Sequence, residues 1–209
     1  QTVEEFTAEV DALCESVHSV SADFNSALAD INANEVGALS LIQKYDDLAS
    51  KADRTAAEEK ALAAVNKQLA TSYPEIAAQM NNATMSTEDY VEAMKKAAEA
   101  EAEEERQQQA QETYIEALQK RAELTDELAK AQENVNLEQQ RMDDMSGWDH
   151  FWTGGEWDDL EAYKEALEEL EAAMAENDAT IAEIEQGWED LAEAEAEAAE
   201  ATVSYQDAV

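Results

Sequence analysis

From Leu160 onward, side chains that a helix can bury recur at alternating steps of three and four. They are Leu160, Tyr163, Leu167, Leu170, Met174, Asn177, Ile181, Ile184, Trp188 and Leu191. The same phase continues through Glu195, Ala198, Thr202 and Tyr205. On a helix this spacing makes a heptad seam, a narrow stripe that another helix must cover. A second seam opens the chain: Val3, Phe6, Val10, Leu13, Val17, Val20, Phe24, Ala27, Ile31, Asn34, Ala38, Leu41, Tyr45 and Leu48.

The second seam predicts a helix over about 3–51, with its weak point at Asn32 to Gly37, where Asn and Gly lower helix propensity. Ala52-Asp53-Arg54 is a turn. Thr55-Ala56-Ala57-Glu58 is a capping box, in which the Thr hydroxyl accepts from the third backbone N–H and Glu58 reaches back to the cap. The helix it starts spans about 56–80, with Leu62, Val65, Leu69 and Tyr73 on its apolar face. Pro74 marks a kink or boundary, and Ile76 and Met80 extend the face. Asn81 to Met85 reads as a linker. Ser86 caps a third helix, whose first turn carries Glu88 and Asp89 at the positive end of the dipole.

That third helix has a poor seam from Glu99 to Glu112, where alanine is the only apolar type, and recovers through Tyr114, Ala117, Leu124, Leu128, Ala131, Val135 and Met142. Ser146 to Glu156 holds three of the five glycines and stops the helix. The fourth helix starts near Trp157 to Leu160. Folding back around a tip near residue 151 makes facing residue numbers add to about 302 in an antiparallel pair. Met142 then meets Leu160, Val135 meets Leu167, Leu128 meets Met174 and Tyr114 meets Trp188. Each arm would be roughly 70 Å long. The expected fold is all-α, built of elongated antiparallel helical hairpins or coiled coil. Its domains are an N-terminal hairpin over 1–85 and a long hairpin over 86–209, with an aromatic tip at 146–157.

Composition fits this plan. Six residues of 209 are Gly or Pro, and Ala, Glu, Gln and Leu dominate, as in long helices rather than mixed α/β domains. With 51 Asp plus Glu against 13 Lys plus Arg, the net charge is -38. That argues against a nucleic-acid surface, which needs concentrated cations, and against anionic membranes. A solvated acidic helix exterior is the simplest reading. Crowded carboxylates predict a fold stabilised by salt and by mild acid. Cys14 is the single cysteine, so no intramolecular disulfide can form, which fits a reducing compartment. There is no apolar run of membrane-spanning length and no signal peptide, and a first residue other than Met suggests a piece of a longer chain.

Motifs for chemistry are sparse. Glu15-Ser16-Val17-His18 has the Glu-x-x-His spacing of di-iron bundles, but such a centre needs a second copy on another helix. The other histidine, His150, lacks that pattern. Cys14 and His18 stand four apart, and two ligands do not make a zinc site. The acids from Asp143-Asp144 to Asp158-Asp159 lack the regular calcium-loop spacing. Trp148, Phe151, Trp152 and Trp157 crowd the tip, either as a partner-binding knob or as a plug on the open end of the hairpin core. Asn177, polar within a seam, suits a register-setting role. No catalytic residues, cofactor site or metal site are expected, and an enzyme is not the expected class.

Leu41-Ile42-Gln43-Lys44-Tyr45-Asp46-Asp47-Leu48, followed by Lys51, Thr55, Glu58, Leu62, Leu69 and Tyr73-Pro74, resembles a helix-turn-helix segment of tail tape measure proteins from long-tailed bacteriophages and prophages. Ser86-Thr87-Glu88-Asp89-Tyr90 and its Ala/Glu-rich continuation are similar, as is Trp148-Asp149-His150-Phe151-Trp152 running into Asp158-Asp159-Leu160-Glu161-Ala162-Tyr163-Lys164. The resemblance covers about Leu39 to Lys164 as a pattern rather than a strict signature. It implies a non-enzymatic ruler whose length sets the number of rings in the growing tail tube. Tail tube and other tail proteins would be partners, and the location would be the virion after assembly in the host cytoplasm. Self-association through the heptad seams is a further expectation. The alternative is an extended spacer that presents the aromatic tip to a protein partner.

Overall fold

The computed structural model describes residues 2–81, 85–143 and 154–207, without the side chains of 81, 154–157, 195 and 197–207. Its described residues form five helices and no strand: α1 Val3–Ala49, α2 Ala56–Ser72, α3 Pro74–Asn81, α4 Thr87–Asp143 and α5 Gly154–Asp207. The fold is all-α, as the seams require.

Local chemistry sets most boundaries. Thr55 Oγ1 accepts from the Glu58 N–H at 3.3 Å, and the Glu58 carboxylate accepts from the Thr55 N–H at 2.8 Å. This closes the expected capping box at the start of α2. Arg54 donates to the carbonyls of Leu48, Ala49 and Lys51 at the end of α1, where helix carbonyls otherwise lack partners. Tyr73 ends α2, and Pro74 takes the first position of α3, where its missing N–H costs nothing. Ser86 accepts from the Asp89 N–H at 3.1 Å to open α4. The expected weak point of α1 is helical throughout, and Gly37 faces open space. α5 begins at Gly154, a turn earlier than the sequence suggests.

Two compact units result, and neither follows the boundary expected at residue 85. One comprises 1–24 with 110–209, and the other comprises 25–109. The physical reason is that α1 and α4 each contribute apolar faces to both, so a cut at the linker cannot separate two cores.

In the first unit, α4 and α5 form an antiparallel hairpin. Tyr114 meets Trp188 in a tilted ring contact with centroids 4.9 Å apart, the pair that folding back at residue 151 predicts. The start of α1 adds a third helix, parallel to α5, with Phe6 on Tyr163 at 5.5 Å and His18 Nδ1 3.0 Å from Glu176 Oε1. Three-helix packing explains why α5 buries more than its seam. Ala166, Ala173 and Thr180, seven apart, are buried beside Tyr163, Leu170, Asn177 and Ile184. Phe6, Val10, Val17, Leu124, Ala131 and Leu170 form the centre of this core, where burial of each large aliphatic side chain contributes about 1.5–3 kcal/mol.

In the second unit, residues of α1, α2 and α4 pack around Ile42, Leu69, Tyr90 and Met94. Tyr45 meets Tyr90 edge-on at 5.2 Å, and the Tyr90 hydroxyl donates to Asn66 Oδ1 at 3.0 Å. Burial, and then the neighbouring Tyr45, push the Tyr90 pKa up to about 12.

Candidate functional site

The sequence candidates do not converge on a reactive centre. Trp148, Phe151 and Trp152, with His150, lie outside the described residues, as does the side chain of Trp157. Glu15 is exposed, and the His18 side chain, 74 % exposed, is paired with Glu176 across α1 and α5. Among the described residues, no group of three or more His, Cys, Asp or Glu side chains could hold a metal ion. Cys14 is half-buried, and burial, followed by the charges of Glu169 and Asp11, raises its thiol pKa. A thiol held in its protonated form is a poor nucleophile. Among the described residues, no helix is long and apolar enough to cross a membrane.

What the structure does assemble is a polar layer inside the α4–α5 hairpin. Asn177 is 1 % exposed, and its Nδ2 donates to the Ala117 carbonyl at 2.9 Å. The small side chain of Ala117 leaves room for the amide to reach the facing helix backbone. Asn177 Oδ1 is buried without a hydrogen-bond partner. Thr113 and Thr180 are buried in the same stretch, and Thr180 donates to the Glu176 carbonyl at 3.2 Å. On the rim, the Tyr114 hydroxyl donates to Glu185 Oε1 at 2.8 Å, and Arg121 Nε lies 3.1 Å from Asp178 Oδ1. This Arg121 approach is one of charge without hydrogen-bond alignment, since Asp178 Oδ1 has no hydrogen-bond partner. Asn177, Tyr114 and Arg121 each tie one helix to the other, so these contacts fix register.

A comparable brace in the second unit escaped the sequence reading. Arg106 donates to Asn32 Oδ1 at 3.0 and 3.2 Å and pairs with Glu35, tying α4 to α1. Its signal was available: Arg106 is the single cation between Lys96 and Lys120. Beside it, the small side chains Ala98 and Ala102 leave a groove of about 290 Å³, walled by Tyr73, Glu35, Glu101 and Glu105. A second groove, of about 510 Å³, runs along α1 and α4 in the first unit, lined by Glu9, Leu13, Glu123, Asp126, Glu127 and Lys130.

No protein-family model, curated protein or solved structure matches the chain.

Proposed function

We propose that this chain is a structural, non-enzymatic helical segment of a phage tail tape measure protein, acting as a spacer whose length helps set tail length. The observation that carries the reading is how the seam residues are used: from Tyr114 to Met142 and from Leu160 to Trp188 they serve helix pairing, with Asn177 and Tyr114 fixing the register. A protein that measures distance needs such one-dimensional regularity and no reactive cleft. The resemblance over Leu39 to Lys164 gives the reading its family. Tail tube and other tail proteins are the partners it implies, and the virion is its location.

The test is made in the intact parent chain within assembled tails. Removing one heptad from each arm, centred on Leu128 and Met174, keeps seam facing seam. Tails measured by electron microscopy should shorten by about 10 Å per copy length if the hairpin is closed in the tail. They should shorten by about 20 Å if its arms are laid end to end. Unchanged tail length would end the ruler reading. The closed and open forms are further separated by cysteines placed at Leu128 and Met174. We expect the isolated chain to form the intrachain bond and the assembled protein not to form it.

The alternative is an interaction module that presents Trp148, Phe151, Trp152 and Trp157 to a protein partner. Four large aromatics within ten residues favour it. Trp148→Ala with Trp152→Ala would then abolish partner capture, whereas in the ruler reading it mainly lowers hairpin stability.

A further inference from the structure

The outward face of α4 carries an unexplained pattern. Ile115, Leu118 and Leu137 are 58 %, 42 % and 56 % exposed. At 100° per residue they fall within an arc of about 100°, opposite the buried Ala117, Leu124 and Ala131. Ala122 and Ala129 lie on the same arc, together with the exposed Asp126 and Glu133. From Thr125 to Asn136, one flank of the arc is uncharged, with Thr125, Gln132 and Asn136. The other is ordered by sign: Glu112, Glu116 and Glu123 come first, then Lys130 and Arg141.

We infer that this face pairs with the same face of a second copy of the chain, running antiparallel about a two-fold axis near Asp126. In such a pair each flank meets its own copy. Facing residue numbers adding to about 253 set Glu112 against the mate's Arg141 and Glu123 against its Lys130, while Ile115 meets the mate's Leu137. A parallel pair would lay the charged flank on the uncharged one and gain nothing. The 510 Å³ groove lies on the charged flank, and its walls hold Glu9, Glu123, Asp126 and Glu127 against one cation, Lys130. Glu127 Oε2 is buried there without a hydrogen-bond partner. The mate's Lys130 would enter this groove and also offset the approach of the two Asp126 carboxylates. Lys130 and Arg141 now hold Glu127 and Glu138 within their own helix at 2.6 and 3.2 Å. In each pair the cation is more than half exposed, and pairs open to solvent on one side contribute little and exchange partners readily. Elsewhere the acidic exterior opposes self-association, so the contact should be weak and specific to this register. The pairing does not rest on the ruler reading; within that reading, copies laid in one direction along a tube could not pair this way, and the contact would belong to the chain before assembly.

The test uses the full chain carrying Cys14→Ser. Oxidising a mixture of Ile115→Cys and Leu137→Cys chains should give a mixed dimer about tenfold faster than either chain alone, by effective concentration. Dominant self-linking of Ile115→Cys would show parallel pairing and overturn the proposal. So would rates no higher than those of a control at exposed Glu168. Sedimentation provides a second readout. Lys130→Glu should weaken the dimer about tenfold through like-charge contact, and mixing it with Glu123→Lys chains should restore pairing. Dimerisation unchanged by Lys130→Glu, in chains whose circular dichroism matches the parent, would also overturn it.

Discussion

Asn177 on α5 donates a hydrogen bond of 2.9 Å to the backbone carbonyl of Ala117 on α4, inside the interface between the two helices. A buried amide with one satisfied atom is tolerated where it selects a single alignment, and it lowers stability relative to an aliphatic residue.

Asn177→Leu should therefore raise the thermal midpoint, with a gain of about 1 kcal/mol in urea unfolding. The same change should loosen register. In the Cys14→Ser background, Leu128→Cys with Met174→Cys forms its bond in the parent alignment. Adding Asn177→Leu should slow that bond relative to pairings displaced by one heptad. A lower midpoint would show that the amide stabilises rather than specifies.

Phe6 is 1 % exposed and packs on Tyr163. Phe6→Ala should cost about 3–5 kcal/mol in chemical denaturation, as for other deeply buried aromatics. A loss below 1 kcal/mol would mean that the start of α1 is not docked on the hairpin in solution.

Arg106 and Glu35 have side chains 28 % and 20 % exposed. Arg106→Ala removes the brace to Asn32 and leaves Glu35 in a half-buried setting, for an expected cost of about 1–2 kcal/mol. Hydrogen exchange should accelerate in the second unit around residues 28–38 and 98–109. Uniform exchange across all helices would argue against a local brace.

The acid response has two opposed parts. Burial first, and then Asp11, raise the Glu169 pKa above its ordinary 4.5. Its charged form is disfavoured in the folded chain, so the resulting destabilisation is absent below the unfolded value and grows as pH rises through the folded one. Glu58 runs the other way. The hydrogen bond from Lys51 first, and then those from Thr55, lower its pKa to about 2. Its contribution to the α2 cap is present above its unfolded value and is lost as pH falls toward about 2. Melting followed by circular dichroism should give a higher midpoint at pH 5 than at pH 8, and Glu169→Gln should shrink that difference. An equal or lower midpoint at pH 5 in the parent chain would contradict this account.

Much of the architecture was legible because heptad seams report their own partners. Tyr114 and Trp188 are paired where the folding-back register puts them, and Thr55, Pro74 and Ser86 act at the boundaries their chemistry dictates. The third helix of the first unit was not legible, since a seam states that it needs a cover without stating how many helices supply it. The missing signal was the column Ala166, Ala173 and Thr180: small side chains at heptad spacing, placed where a second neighbour must come close. Ile42 was misjudged for a related reason. The three-four alternation favours Leu41, yet Ile42 is fully buried because α1 there faces two neighbours rather than one. The register role of Asn177 followed from its place in the seam. The Arg106 brace did not, because an arginine in an acidic run has many apparent partners until the packing selects one.

The parallel docking of α1 on α5 also constrains the order of events during synthesis. His18 and Glu176 are 158 residues apart in sequence. At elongation rates of about 5–20 residues per second, roughly 8–30 seconds separate the emergence of these two partners from the ribosome. Throughout that interval Phe6, Val10 and Val17 have no α5 to cover them. The first helix of the nascent chain must therefore wait with its apolar stripe uncovered by α5 until the last part of the core has been made.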